Sequence, residues 1–175
     1  MSLEGRVALV TGSSRGIGRA IALGFADGGA QVAICARGDE ALRRSEEELR
    51  ALGAKVFAAT CDVSDGPSLD SFLDQAKQAL GRIDVLVNNA GYNVNAPMLS
   101  MKLDDYDRVA GVARGTWYLT KLVLRRFMLR GGTGRIINIS SVVGSTGNPG
   151  QIPYTMVKAG LDAFTKSLAQ ELAGR

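Results

Sequence analysis

The sequence predicts an α/β fold in which one parallel sheet carries helices on both faces. Uninterrupted apolar runs such as residues 7–10 are typical of parallel strands buried on both sides. Segments with helical periodicity alternate with such runs five times over the 175 residues. No internal repeat or linker divides the chain, so we predict a single domain, residues 1–175, with a doubly wound sheet and right-handed crossovers.

The first half of the chain supplies three of the predicted strands and three of the helices. Gly28-Gly29 and Gly53 end the first two helices, Asp39 can cap the second, and Pro67 suits the first turn of the third. The predicted order here is strand 7–10, helix 16–27, strand 31–36, helix 39–52, strand 55–60 and helix 67–80.

The second half continues the alternation with two strands and two longer helices. The fourth strand runs directly into Asn88-Asn89-Ala90-Gly91, and the glycine-rich stretch 131–134 is a predicted turn before the fifth strand. The predicted order is strand 83–87, helix 103–130, strand 135–140 and helix 154–173. Because the motifs follow the ends of parallel strands, or lie on the helix after the fifth strand, we expect them at one edge of the sheet.

Composition excludes several classes of function. The chain has no histidine, so neither a Ser-His-Asp triad nor a histidine metal site is available. The net charge of +4 is modest and no Lys/Arg block suggests nucleic-acid binding. No apolar run is long enough to span a membrane, and the N-terminus lacks the features of a signal peptide, so a cytoplasmic location is expected. Cys35 and Cys61 have no metal-like spacing and are predicted to be buried free thiols.

A glycine cluster follows the first strand directly. Its glycines permit a tight turn and close approach of a pyrophosphate, and the start of the next helix offers unpaired N–H groups to that anion. The alternative is a glycine turn needed only for packing of helix on strand. The residues predicted here to bind a dinucleotide are Gly12, Ser13, Ser14, Arg15, Gly16, Ile17 and Gly18.

The end of the second strand bears on which dinucleotide is bound. An acidic residue there would hold the ribose 2′-hydroxyl and repel a 2′-phosphate. Here the chain reads Ala36-Arg37, with no carboxylate before Asp39, and Arg15 lies in the glycine loop. Two guanidinium groups favour a phosphate, so NADP(H) is the predicted cofactor. The alternative is that both are ordinary surface arginines.

These motifs together resemble those of the short-chain dehydrogenase/reductase family, over essentially the whole chain. Stretches such as Asn148-Pro149-Gly150-Gln151 and Lys158-Ala159-Gly160 are similar to those of its bacterial 3-oxoacyl-[acyl-carrier-protein] reductases. The resemblance implies a Rossmann-type fold and NADPH-dependent reduction of a ketone. The motifs that carry it are Thr11-Gly12-x-x-x-Gly16-x-Gly18, Asn88-Asn89-Ala90-Gly91, Ser141 and Tyr154-x-x-x-Lys158.

The resemblance also implies roles for single residues. Tyr154 would protonate the ketone oxygen, Ser141 would donate a hydrogen bond to it, and Lys158 would bind the nicotinamide ribose. Residues four apart share a helix face, and an ammonium favours ionisation of a nearby phenol, which alone titrates near pKa ≈ 10. The cofactor-contacting residues implied outside the glycine loop are Asp62 and Val63 near adenine, and Asn89, Ala90 and Gly91 along the cofactor.

The sequence departs from the family pattern in two places. The family has an asparagine in the helix before the fifth strand, which holds a water for proton resupply, but alignment places Val112 or Ala113 there. The two possible alignments differ by one residue, which suggests that one residue has been deleted from this helix. Such a deletion would turn the later residues of the helix by about 100° unless the helix bulges. Family members also continue beyond Arg175 with a further strand, a substrate lid and a last strand. We therefore expect either that this sequence is a fragment or that a partner covers the sheet edge that would otherwise be exposed. The rival predictions are a catalytically impaired dinucleotide-binding protein of the same fold and a short-chain dehydrogenase for another alcohol or ketone.

Basic residues on the last two helices suggest a partner. Similar reductases dock an acidic acyl-carrier protein in this region, and Arg130 and Arg175 are the candidate contacts. A solvated helix face explains the same residues equally well. The family also forms dimers or tetramers through these helices, to which Leu119, Leu122, Val123 and Phe164 could contribute, although they suit a core as well.

Overall fold

The computed structural model describes residues 2–129 and 133–174 of the chain. Its centre is a parallel sheet of five strands in the order β3-β2-β1-β4-β5. Chain order and sheet order differ because the chain returns from β3 at one edge to β4 beside β1. The strands are β1 (Val7–Thr11), β2 (Gln31–Ala36), β3 (Val56–Thr60), β4 (Val85–Asn88) and β5 (Arg135–Asn138).

Helices cover both faces of this sheet. A 3₁₀ turn at Met98–Ser100 precedes α4, and α4 continues without a break into a π-helical segment at Leu124–Met128. The helices are α1 (Gly16–Asp27), α2 (Asp39–Ala51), α3 (Gly66–Leu80), α4 (Leu103–Val123), α5 (Val143–Thr146) and α6 (Ile152–Leu172). Within the described residues, no helix has the length and apolar character needed to cross a membrane.

The structure confirms the predicted α/β class. It differs from the prediction at the ends of elements and in three short segments that the sequence did not predict: the 3₁₀ turn, the π segment and α5. Strand β4 runs one residue further than predicted, to Asn88, because Asn88 still pairs with Asn138 of β5. Helix α6 begins two residues earlier, since Pro153 occupies its first turn, where a missing N–H costs nothing. Residues 130–132, where the predicted helix ends and the predicted turn begins, lie outside the described part.

Two layers of core side chains hold helices to sheet. On one face Phe72 and Leu73 of α3 and Leu119 of α4 pack under the sheet, all at most 1% exposed. On the other face Ala22 of α1 and Leu49 of α2 pack against strands β1 and β2. Both faces of β1 are therefore buried, as its uninterrupted apolar sequence predicts.

The structure assigns Leu119, Leu122 and Val123 to the core. The sequence alone did not decide whether they belong to the core or to a dimer interface. They are 1%, 7% and 0% exposed and belong to the same cluster as Phe72. Cys35 and Cys61 are buried free thiols, as predicted.

The reversal of strand order creates the crevice in which the site lies. Strand β1 has β2 on one side and β4 on the other, and the helices that follow β2 and β4 pack on opposite faces of the sheet. In doubly wound sheets such a divergence opens a groove beyond the carboxyl ends of the strands. The predicted site residues all follow these carboxyl ends or lie on α6 beside them.

Candidate active site

The glycine loop forms the floor of the crevice between β1 and α1. Gly12 and Gly16 have φ of 66° and 57°, which only glycine adopts readily. A Cβ on Gly12 would lie 2.9 Å from the Ala90 Cα, whereas no atom lies within 4 Å of a Cβ on Gly16. The loop therefore packs tightly at Gly12 and borders open space at Gly16, where α1 begins.

The side chain of Asn89 ties this loop to the loop after β4. Its Nδ2 donates to the Thr11 carbonyl at 2.8 Å and to the Gly12 carbonyl at 3.1 Å. The Thr11 hydroxyl oxygen accepts from the backbone N–H groups of Asn89 and Ala90, at 3.1 and 3.0 Å. A Cβ on Gly18 would come within 2.3 Å of the same Nδ2, so no larger residue fits there. Asn89 thus holds the glycine loop and the loop after β4 together.

The other predicted residues of the glycine loop differ in what they offer. Ser13 is fully buried, and its hydroxyl donates a hydrogen bond to the Val10 carbonyl at 3.0 Å. Ser14 is half-buried, while Arg15 and Ile17 are exposed, Ile17 by 63%. The first turn of α1 has no acidic residue, so its positive end is not compensated within the helix.

Arg37 and Tyr92 meet across the crevice. The Arg37 guanidinium carbon lies 5.7 Å from the centroid of the Tyr92 ring, and the Arg108 guanidinium carbon lies 5.4 Å from the same centroid. Arg37 follows β2, Tyr92 follows Gly91 after β4, and Arg108 is on the second turn of α4. Sequence reasoning named Arg37 but not Tyr92 or Arg108, because only the fold brings them together.

Asp62 and Val63 lie at the carboxyl end of β3, on the same side of the crevice as Arg37. The Asp62 Oδ1 accepts from the Ser64 N–H at 2.9 Å and from the Ser64 hydroxyl at 2.7 Å. Partial burial opposes ionisation of Asp62, but the hydrogen bonds from Ser64 and the Arg37 charge outweigh it and lower the pKa of this carboxyl. The Asp62 carboxylate is therefore stabilised in its ionised form by the two hydrogen bonds from Ser64.

Lys158 is a buried cation at the centre of the site. Its exposed fraction is 6%, and its Nζ donates to the Ile139 carbonyl at 2.5 Å. Ile139 in turn donates its N–H to the Asn88 carbonyl at 3.0 Å, so the ammonium is fixed relative to the ends of β4 and β5. Burial lowers the pKa of Lys158, against the raising effect of the Asp162 carboxylate.

Tyr154 lies close to this ammonium, and the loop that carries Ser141 packs against the same turn of α6. The Lys158 Nζ is 5.6 Å from the centroid of the Tyr154 ring, one helical turn away on the same face of α6. Ser140, next to Ser141, lies with its Oγ 3.4 Å from the Lys158 carbonyl. A Cβ on Gly144 would be 3.0 Å from the Lys158 carbonyl carbon, so the loop carrying Ser141 packs against the same turn of α6.

Tyr154 and Lys158 line a cavity of about 370 Å³ between α4 and α6. Val112 and Ala113, the two candidates for the missing asparagine, both line this cavity. Helix α4 is regular there, and its π segment comes only at Leu124–Met128. Neither aligned position therefore presents an amide to Lys158. Much of the remaining wall is apolar and includes Val109, Trp117, Leu161 and Phe164.

Asn88 is a polar residue of this cavity that sequence reasoning did not assign to the site. Its Nδ2 donates to the Thr120 hydroxyl at 3.0 Å and to the Asn138 Oδ1 at 2.8 Å. Its Oδ1 is buried and has no hydrogen-bond partner within the described residues. The only sequence signal was its place in the Asn88-Asn89-Ala90-Gly91 motif.

The crevice has the features that a bound dinucleotide needs. The open space at Gly16 lets an anion reach the backbone, and the uncompensated start of α1 favours negative charge there. Arg15, beside Gly16, and Arg37, after β2, are both exposed and add positive charge to this end of the sheet. The described residues hold no cluster of His, Cys, Asp and Glu that could bind a metal.

Comparison with known proteins gives one consistent family. A family model described as short chain dehydrogenase matches residues 6–175. The chain is 42% identical to the 3-oxoacyl-[acyl-carrier-protein] reductase FabG of Thermotoga maritima, over all of this chain and 71% of that protein. It is 44% identical to FabG of Aquifex aeolicus, again over all of this chain and 71% of that protein.

Solved structures with the same fold differ in the dinucleotide that they contain. An NAD+-bound xylitol dehydrogenase superposes with a TM-score of 0.94 at 34% identity, covering 99% of this chain and 67% of that one. A variant of the actinorhodin polyketide ketoreductase with NADPH also gives a TM-score of 0.94, at 39% identity and with the same coverage. Both dinucleotides thus occur on this fold.

Proposed function

This chain belongs to the short-chain dehydrogenase family, and from that membership we propose that it reduces a ketone to a secondary alcohol with NADPH. The proposed substrate is a 3-oxoacyl group carried by acyl-carrier protein, as the names of the FabG relatives suggest. The observation that carries the proposal is the pairing of Tyr154 with the buried Lys158 at the wall of a cavity.

Tyr154 is the proposed proton donor. NADPH, when bound, supplies a hydride to the carbonyl carbon, and the oxygen must then receive a proton. The Lys158 ammonium is buried and lies 5.6 Å from the Tyr154 ring centroid, one helical turn away. Its proposed role is to stabilise the negative charge that develops on the phenol oxygen as the proton is transferred.

Ser141 is the proposed hydrogen-bond donor to the same carbonyl oxygen. A donor placed where negative charge develops stabilises the transition state more than the ground state. The Ser141 hydroxyl lies 3.4 Å from the Val143 N–H, which can donate to it. That leaves the serine proton available to the substrate.

The proposed cofactor site consists of the glycine loop, Arg37, Asp62 and Val63, and the Asn89-Ala90-Gly91 segment. The exposed guanidinium groups of Arg15 and Arg37 support NADP(H) rather than NAD(H), since they would meet the additional phosphate. Lys158→Ala is expected to lose turnover together with part of the cofactor affinity, because the same ammonium would contact the nicotinamide ribose.

The proposed partners follow from the relatives. We propose a homo-oligomer, located in the cytoplasm, that receives its substrate from acyl-carrier protein. Arg130 and Arg175, the predicted docking residues, lie outside the described part of the chain. Lys121 and Arg125 of the same helical region are exposed and supply positive charge nearby.

A second candidate function is dinucleotide binding without efficient turnover. It is favoured by one observation: Val112 and Ala113 line the cavity beside Lys158 where the family carries an asparagine. Without that polar group, proton resupply to Lys158 and Tyr154 would be slow, while the cofactor crevice would be unaffected.

A paired measurement on the purified chain separates the two functions. NADPH binding is titrated by its fluorescence, and NADPH oxidation is followed with a 3-oxoacyl thioester. Binding with substrate-dependent oxidation supports the reductase. Binding with no oxidation of this or other ketones would support the second candidate, and absence of NADPH binding would exclude both.

A further inference from the structure

Two guanidinium groups share one aromatic ring at the cofactor crevice. Arg37 and Arg108 each place the guanidinium carbon within 6 Å of the Tyr92 ring centroid, at 5.7 and 5.4 Å. The cations come from different parts of the fold, the end of β2 and the second turn of α4. Tyr92 is half-buried, whereas both arginine residues are exposed.

Within the described residues, no ion pair occupies either of these guanidinium groups, unlike Arg43 of α2 or Arg126 in the π segment. Asp62 is close enough to feel the Arg37 charge, but its Oδ1 accepts two hydrogen bonds from Ser64. A phosphate that contacted both groups would offset the repulsion between the two cations.

The position of the cluster indicates which anion that is. Neighbouring strands of a sheet lie about 4.8 Å apart, so the ends of β2 and β4 are about 10 Å apart across β1. Arg37 and Tyr92 span this gap above the glycine loop. A dinucleotide whose pyrophosphate lies at the start of α1 places its adenosine ribose beside the end of β2.

We propose that Arg108, positioned by stacking on Tyr92, acts together with Arg37 to bind the 2′-phosphate of the adenosine ribose. Arg108 is then a specificity-determining residue supplied by α4, which no sequence motif indicates. The guanidinium fork matches phosphate oxygens in a bidentate manner, and the aromatic face restricts where the fork can point. This inference rests on the proposed NADP(H) preference and names Arg108 as one residue that produces it.

The test uses nucleotide fragments, so it does not depend on turnover. Adenosine 2′,5′-bisphosphate carries the 2′-phosphate, and 5′-AMP lacks it; both are titrated calorimetrically against the whole chain. The unaltered protein is expected to bind the bisphosphate more tightly. Arg108→Gln is expected to weaken bisphosphate binding about tenfold, as for loss of a hydrogen-bonded charge, and to leave 5′-AMP binding within about twofold.

Matched variants separate a local effect from a general one. Arg125→Gln removes the same charge from an exposed position in the π segment that follows α4, and it should change neither affinity. Tyr92→Leu should weaken bisphosphate binding. Tyr92→Phe, which keeps the ring, should bind the bisphosphate as tightly as the unaltered protein does. The 5′-AMP affinity of each variant also reports whether the crevice is still folded.

Two results would overturn the proposal, and they are distinguishable. If Arg108→Gln binds the bisphosphate as tightly as the unaltered protein, or loses both nucleotides equally, Arg108 has no specific role, although NADP(H) preference survives. If the unaltered protein itself does not distinguish the two nucleotides, the 2′-phosphate site and the NADP(H) preference fail together.

Discussion

Lys158 combines two properties that oppose each other in most proteins: it is charged and it is almost entirely buried. Its exposed fraction is 6%, and its Nζ donates to the Ile139 carbonyl. Burial lowers the pKa of this ammonium because water no longer stabilises its charge, and Asp162 offsets only part of the effect. A site that holds such a group gives up stability in order to place a charge beside Tyr154.

The cost of burying the Lys158 charge predicts that the difference in stability between the unaltered protein and Lys158→Met depends on pH. Unfolded Lys158 titrates near 10.4, above its lowered folded pKa, so the unfolded state binds more protons between the two values. The stability that this residue contributes is therefore complete above about pH 10.4 and is lost as pH falls through the folded pKa. The free energy of unfolding of the unaltered protein minus that of Lys158→Met should rise from pH 7 to pH 10.

This rise in the difference in free energy of unfolding amounts to about 1.4 kcal/mol for each pH unit by which burial lowers the Lys158 pKa. Chemical denaturation at several pH values measures the free energy of unfolding of both proteins. Lys166→Met, at an exposed position of the same helix, is the control for loss of one lysine. A difference between the unaltered protein and Lys158→Met that stays constant over this pH range would contradict the account.

Helix α4 contains the two positions, Val112 and Ala113, at which the family's asparagine is missing. Its buried side includes Val109, Leu119 and Val123, and Val112 and Ala113 face the cavity on the way between them. Because Leu119 and Val123 already pack in the core, inserting an asparagine before Ala113 would rotate them by about 100° out of it. A substitution therefore tests the missing amide better than an insertion does.

We expect an asparagine at one of the two aligned positions, Val112→Asn or Ala113→Asn, to raise the turnover number of the reductase while the NADPH dissociation constant stays unchanged. The amide would hold a water near the Lys158 ammonium and so speed proton resupply. The two variants place the amide about 100° apart around the helix, so at most one of them should have the effect. Steady-state kinetics measures both variants; an unchanged rate in both would mean that the asparagine is not what limits this chain.

The position of α4 depends on Gly115. A Cβ there would lie 1.6 Å from the Val63 carbonyl oxygen, closer than any contact that relaxation of a side chain could relieve. Gly115→Ala should lower the free energy of unfolding by about 3 kcal/mol, the upper part of the range for overpacking. The helix must move away from the loop after β3, which also carries Asp62.

Gly24→Ala is the control for this prediction, because no atom lies within 4 Å of a Cβ on Gly24 in α1. It should raise the free energy of unfolding by about 1 kcal/mol through helix propensity alone. Urea denaturation measures both. Equal effects of the two substitutions would show that Gly115 does not set the helix position.

The strands and helices were the most predictable parts because their signals are local. The apolar run of β1 and the helical spacing of α1 need only a few neighbouring residues to be recognised. The π segment at Leu124–Met128 and the early start of α6 were not predicted, since they depend on packing against other elements. The same holds for Arg108, whose contact with Tyr92 joins α4 to the loop after β4.

At the scale of the whole molecule, the chain spans 71% of the length of FabG of Thermotoga maritima and of Aquifex aeolicus. What it spans includes the glycine loop, Ser141, Tyr154 and Lys158, all at one edge of the sheet. The family and the fold could therefore be recognised from sequence motifs. The choice of substrate could not, because the cavity wall of Val109, Trp117 and Phe164 follows no motif.

The arrangement of the sheet explains why these distant segments can act together. Strands β1, β4 and β5 are adjacent, so their carboxyl ends bring the glycine loop, Asn89 and the Ser141 loop to one crevice. Helix α6 then crosses beside β5 and places Tyr154 and Lys158 over it. Chemistry at this crevice is a property of the complete sheet rather than of any single motif.

If Tyr154 donates the proton with Lys158 beside it, then Tyr154→Phe removes the proton donor. The substitution removes one hydroxyl and keeps the ring over the ammonium. Measured against the unaltered protein with a 3-oxoacyl thioester that the latter reduces, it should lower the rate of NADPH oxidation at least a hundredfold, as expected for loss of a general acid. The NADPH dissociation constant should stay within about twofold. A Tyr154→Phe variant that oxidises NADPH at nearly the unaltered rate would contradict the assignment.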